Sequence, residues 1–150
     1  MAQPAFRGDR LLAAREAGGL SREDLTLRLG LSSPIRIKLW EEGAERPRPS
    51  FVPPLAAAVG VDPLHLLDVD PEDPPLAALR IAAGLATTQM ARPGLSVMSY
   101  QRIEGGRPRI EAPDNIVALI AEVMQIDSRR VDAGIQRARR DALRTHADSE

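Results

Sequence analysis

The sequence predicts an all-α fold arranged as two tandem helical domains, and three observations lead there. β-branched runs with period-two alternation are absent, whereas apolar residues recur three and four apart. Aromatic residues make up only 3% of the chain, so the core must come from Leu, Ile, Val and Ala, and the many alanines suit close helix packing. The third observation is an internal repeat. LAALRIAAGLATTQMARPGLSVMSYQRIEGGRPRIE, from Leu76, lies beside LLAAREAGGLSREDLTLRLGLSSPIRIKLWEEGAERPRP, from Leu11. Leu85 then matches Leu20, Met90 matches Leu25, Gly94 matches Gly30, Ile103 matches Trp40 and Gly106 matches Gly43. Further on, IVALIAEVMQID matches VPPLAAAVGVD. A duplication of this kind sets the organisation: a first domain over residues 1–69, a linker over 70–75, and a more degenerate second domain over 76–150 with a C-terminal helical extension.

Each element has its own local reason. Asp9 is placed to cap a first helix carrying Leu11 and Leu12, which Gly18-Gly19 ends. Ser21 can cap a second helix, with Glu23 and Asp24 at its positive end and Leu25 and Leu29 on one face. Gly30 stops that helix, because glycine takes the left-handed conformation without steric cost. Ser33-Pro34 opens a third, with Ile37 and Trp40 facing inward and Gly43 as its stop. A fourth helix tolerates Pro53 and Pro54 only in its first turn and turns Leu55 and Val59 inward. Asp62-Pro63 starts a short fifth helix, Leu64 to Leu67. The acidic, proline-rich segment that follows reads as a semi-rigid linker. In the last segment Val131, Ile135, Ala138 and Ala142 form a helical stripe, with Arg137, Arg139, Arg140 and Arg144 on the other faces. That stripe either packs on its own domain, meets a second copy of the chain, or supports a second DNA-backbone contact.

Composition narrows the function. There is no cysteine, which removes disulfides and thiolate metal sites and makes a reducing cytoplasm the natural compartment. No apolar run approaches bilayer length and the N-terminus lacks an apolar signal core, so a soluble, cytoplasmic protein is expected. The net charge is −1, divided as −3 over residues 1–75 and +2 over 76–150. Nucleic-acid binding would therefore use a local basic face. His65 and His146 stand alone, and no glycine-rich phosphate loop or nucleophile–base pairing is visible. Neither an enzyme nor a cofactor is expected.

A short helix, a glycine turn and a second short helix with an apolar inner face form a helix-turn-helix, whose second helix can lie in a DNA major groove. AREAGGLSREDLTLRLGLS, KLWEEG, RP and LAAAVGVDPLHLL in the first half resemble the phage repressor and Cro (XRE-class) family; LRIAAGL, GLS, RIEGGRPR and VMQID in the second half do so more loosely. The resemblance implies two tandem lambda-repressor-like five-helix domains plus a C-terminal amphipathic helix, sequence-specific binding of double-stranded DNA, transcriptional control, and a homodimer with the C-terminal helix as a possible contact.

The same resemblance implies which residues meet DNA. Arg22 falls where the family anchors a phosphate, and Ser33, Arg36 and Lys38 accompany the first recognition helix. Arg46 and Arg48 follow it, with Arg107 and Arg109 as their counterparts, and Ser99, Gln101 and Arg102 belong to the second recognition helix. The family's base-reading positions fall on Pro34, Ile35 and Leu39, and on Val97, Met98 and Arg102; five of these six are apolar. That departure motivates an alternative of a different class, a protein-interaction module built on degenerate helix-turn-helix domains, such as a partner-binding regulator or an antitoxin-like adaptor.

Overall fold

The computed structural model describes residues 3–107 and 111–148, with the side chains of residues 146 and 148 excepted. Its elements, in chain order, are α1 (Gly8–Ala17), α2 (Arg22–Leu29), α3 (Ile35–Glu42), α4 (Val52–Val59), α5 (Leu76–Ala82), α6 (Val97–Glu104), α7 (Asp114–Met124) and α8 (Ser128–Asp148). Short 3-10 turns occupy Pro49–Phe51, Pro63–Leu66 and Thr87–Met90. Among the described residues the chain is all-helical, with isolated β-bridges only, such as Phe6 to Leu67.

The local signals work largely as chemistry requires. Ser21 and Asp24 form a reciprocal cap on α2: the Asp24 amide donates to Ser21 Oγ at 3.0 Å, and the Ser21 amide donates to Asp24 Oδ2 at 2.8 Å. Gly30 is left-handed at φ 67°. Pro34 precedes α3, and the Ile35 amide donates to Ser33 Oγ. Ile37 and Trp40 are buried, with Trp40 beside Phe51. Asp9, expected as a cap, sits instead inside the first turn of α1, where its carboxylate takes Arg7. That pairing holds the Asp9 carboxyl down at about 2.

Equivalent positions of the two halves make equivalent bonds. The Ala44 amide donates to Leu39 O and the Arg107 amide to Arg102 O. The Asp62 carboxylate accepts from the Leu64 amide and the Asp127 carboxylate from the Arg129 amide. Gly60 and Gln125 end α4 and α7 in the same left-handed conformation, φ 73° and 56°. Gln125 adopts it without being glycine.

Two elements depart from the expected five helices per half. The fifth segment of the first half is a single 3-10 turn, Pro63–Leu66. The second helix of the second half is likewise a 3-10 turn, Thr87–Met90, before Ala91 returns to an extended backbone. Its sequence explains this: where α2 carries a serine cap and an acidic first turn, this stretch offers Ala86 and two threonines, which form helix poorly.

Three apolar clusters hold the chain. One lies in the first half, around Leu11, Leu25, Ile37, Trp40, Leu55 and Leu66. A second lies in the second half and includes Leu79, Met90, Tyr100 and Ile120 together with Val131 and Ile135 of α8. The third joins Val52, Leu64 and Leu67 to Ala78 and Ile81, across the two halves. The stripe of α8 is thus used inside the chain. Val131, Ile135 and Ala138 are buried and cannot be the contact with a second copy. α8 is the fifth helix of the second half, prolonged, and Gly134 lets it pass against the backbone of Leu76 at the start of α5.

The expected linker is also anchored. Arg137 donates to the backbone oxygen and carboxylate of Asp73, and Arg140 donates to the same carboxylate at 2.8 Å. The neighbouring guanidinium of Arg137, with that of Arg140, holds the Asp73 carboxyl below its usual range.

Candidate nucleic-acid interface

The site is built on α3, and α3 is held from below by a buried glutamate. Glu41 lies one residue past Trp40, with its side chain only 1% exposed. Arg15 of α1 grips it with two donors, Nε at 2.6 Å and Nη2 at 3.1 Å, and sends Nη1 to the Leu20 carbonyl. Arg22 adds a third donor, Nε at 2.8 Å. α1, the first turn of α2 and the end of α3 are thereby locked together by charge-assisted bonds in a site where solvent screens little. The bond from Glu41 holds the Arg15 guanidinium above its ordinary value.

The second half repeats the device at matched positions. Arg80 of α5 donates to Glu104 of α6, with Nε at 2.6 Å, and to the Leu85 carbonyl. The third donor differs. Thr87 stands where Arg22 does in the first half, and Tyr100 supplies its hydroxyl to Glu104 at 2.8 Å instead. Burial first, then the charge of Glu104, pushes the Tyr100 phenol far above its ordinary value. The cluster in the first half sums to one positive charge and that in the second half to zero.

With Ile37, Trp40 and Glu41 inside, the outer face of α3 carries Arg36 and Lys38, both exposed, and Ile35, which is 59% exposed. Lys38 stands 4.0 Å from Glu42 one turn on, while Arg36 has no ion pair among the described residues. Ser33 is half-buried and engaged at the helix start. Arg22 spends its Nε on Glu41 and leaves its two terminal nitrogens without a partner among the described residues. Arg46 and Arg48 are exposed in the segment after α3, flanking the buried Pro47. The structure therefore exposes Arg36 and Lys38 on opposite flanks of α3, two residues apart on either side of the buried Ile37, and ties Arg22 to the same helix.

In the second half, Met98, Gln101, Arg102 and Arg107 line one open groove of about 460 Å³ alongside Gln3 and Thr87. Ser99 is exposed at the helix start, its amide donating to Ser96 Oγ. Arg109 lies outside the described residues. Met90 and Met124 are buried gap-fillers, whereas Met98 is exposed.

Sequence reasoning placed the apolar inner face of α3 but missed Glu41, Glu104 and Tyr100. Glu41 and Glu42 are adjacent at a helix end, and hydropathy marks neither as inward. The available signal was the repeat itself: Arg15 matches Arg80 at the same spacing as Leu20 matches Leu85, and Glu41 matches Glu104 at that of Trp40 and Ile103. Two oppositely charged residues duplicated at core-flanking positions are candidates for a buried pair.

Among the described residues no helix is long and apolar enough to cross a membrane. No protein-family model, no curated protein and no solved structure matches the chain.

Proposed function

We propose that the chain is a sequence-specific DNA-binding transcriptional regulator of the repressor and Cro type, acting in the cytoplasm through tandem helix-turn-helix modules. One observation carries the reading. α3 buries Ile37, Trp40 and Glu41 and turns Arg36 and Lys38 outward on a helix braced by Arg15 and Arg22. A braced helix with an exposed cation on each flank suits a major groove, where phosphate contacts position the protein and side chains read base edges. The exposed cations Arg36 and Lys38 would supply the local positive charge by which a chain of net charge −1 engages a polyanion.

The test is a titration with duplex DNA selected from a random pool, repeated over a range of salt. Affinity should fall steeply with salt, and the double variant Arg36→Ala/Lys38→Ala should bind more weakly with a shallower slope. A salt-independent interaction, or none at low salt, overturns the reading.

A second reading, the partner-binding module, draws on Leu27 of α2 and Leu143 of α8, which are 80% and 71% exposed. Association of two copies belongs here too, with Leu143 rather than the buried stripe as its apolar contact on α8. Leu143→Asp would lower the mass in solution at micromolar concentration if that contact exists, and a monomeric mass for the native chain removes it.

A further inference from the structure

The two halves join through different faces of the same repeated unit. The first half presents Val52 of α4 with Leu64 and Leu67, the second presents Ala78 and Ile81 of α5, and all five are at most 5% exposed. Just past α5 the halves approach closely, since a Cβ on Gly84 would stand 3.0 Å from Pro53 Cγ. A head-to-tail contact of this kind leaves the complementary face of each half unused, one at each end of the molecule. The repeat spacing that relates Arg15 to Arg80 and Asp62 to Asp127 identifies the residues there. At the free end of the first half Ala13, Glu16 and Gly19 stand for Ala78, Ile81 and Gly84, and all three are exposed. Gly19 is left-handed like Gly84, φ 69° against 80°, yet no described residue beyond its chain neighbours comes within 4 Å of a Cβ placed on it. At the free end of the second half Val117, Arg129 and Asp132 stand for Val52, Leu64 and Leu67, with Arg129 and Asp132 exposed. The ends thus keep the smaller residues of the join and carry charges in place of its three largest apolar side chains.

We infer that the two free ends are interaction surfaces of the same kind as the join, that the partner they fit is a second copy of this chain, and that Glu16, Arg129 and Asp132 close them. A head-to-tail contact can repeat from chain to chain without limit, and stacked repeats stay soluble when their terminal faces are polar. The three charges oppose the addition through desolvation. A second copy stacked as the halves are would bring Glu16 of one chain beside Arg129 and Asp132 of the next, and would exclude water from all three. Even with Glu16 paired to Arg129, Asp132 would be left in the contact without a counter-charge, and a buried unpaired charge is strongly unfavourable. None of the three lies on α3 or α6, so the capping holds with or without DNA binding.

The experiment uses the full chain in two complementary variants, Glu16→Ile and Arg129→Leu/Asp132→Leu, each with one end opened and the other still charged. Either alone should keep the native mass in sedimentation velocity at micromolar concentration. An equimolar mixture should give a complex of twice that mass. The triple variant Glu16→Ile/Arg129→Leu/Asp132→Leu should instead grow in mass with concentration through a ladder of species. Ala13→Arg added to Glu16→Ile should abolish the mixed complex, because Ala13 matches Ala78, which is wholly buried in the join. Alanine at the three charged positions gives the same readout should the larger side chains disturb the helical signal. A mixture that keeps the native mass, from variants with the native helical signal, overturns the inference. So does association of either variant alone as strong as that of the mixture, which marks an adhesive patch rather than a matched pair of faces. A mixed complex insensitive to Ala13→Arg overturns it as well.

Discussion

Each of the glutamates near the ends of α3 and α6 has three donors turned on it, and the difference between them lies in the third. Glu41 receives Arg22 and Glu104 receives Tyr100. Removing either glutamate leaves a buried guanidinium without its partner, so Glu41→Ala and Glu104→Ala should each cost about 3–5 kcal/mol in denaturant unfolding. Arg22→Ala is a different experiment, since Arg15 still satisfies Glu41. It should lower stability far less and should flatten the salt dependence of DNA binding by about one unit of slope. Tyr100 gives a pH signature. Its phenol is raised in the folded chain and ionises near the ordinary value of 10.0 once unfolded. The folded state therefore holds one proton more above that pH, and stability falls as pH rises past it. Tyr100→Phe should remove that alkaline loss, while lowering stability near neutrality by about 1.5–3 kcal/mol for the bond to a charged group. None of the donors Arg15, Arg22, Arg80 and Tyr100 was legible as such one residue at a time, because a side chain that grips a buried carboxylate is written with the same letter as a solvated one.

Among the elements, the sequence was most informative where a signal is local. The reciprocal cap of α2, the left-handed glycines after α2 and α3, and the prolines in the first turn of α4 are set by residues within one turn of one another. It was least informative where the partner is remote. Asp73 reads as part of a solvated linker, yet its contact on Arg137 lies 64 residues away. Its carboxyl is held low in the fold, so its contribution is present above the ordinary carboxylate range and is lost as pH falls through the folded value. Asp73→Asn should make the acid limb of the stability profile shallower and leave the alkaline limb unchanged. The α6–α8 contact is a second remote case. Gly106 is left-handed at φ 67°, and a Cβ there would stand 2.5 Å from the Ala138 carbonyl oxygen. Gly106→Ala should therefore cost about 1–3 kcal/mol in thermal unfolding, from crowding and backbone strain together.

Taken as a molecule, the chain has its exposed cations distributed unequally around the two repeated helices. The first half combines Arg22, Arg36, Lys38, Arg46 and Arg48, whereas the second has lost the cation of its helix start and shortened its second helix to a 3-10 turn. If DNA binding holds, Arg36→Ala/Lys38→Ala should weaken the footprint on the selected site more than Gln101→Ala/Arg102→Ala does. Equal losses would assign the two halves equal weight.

The apolar cluster that joins Val52, Leu64 and Leu67 to Ala78 and Ile81 has a consequence for the covalent chain itself. These side chains are almost wholly removed from water, and the backbone that links them passes through an exposed stretch at Asp70 and Pro71. Peptide continuity and cohesion are thus supplied by different parts of the molecule. A protease cut at that stretch should yield two fragments that co-elute under native conditions and separate only in denaturant. Expressed as two polypeptides, they should find one another and rebuild the helical signal that neither shows in full alone.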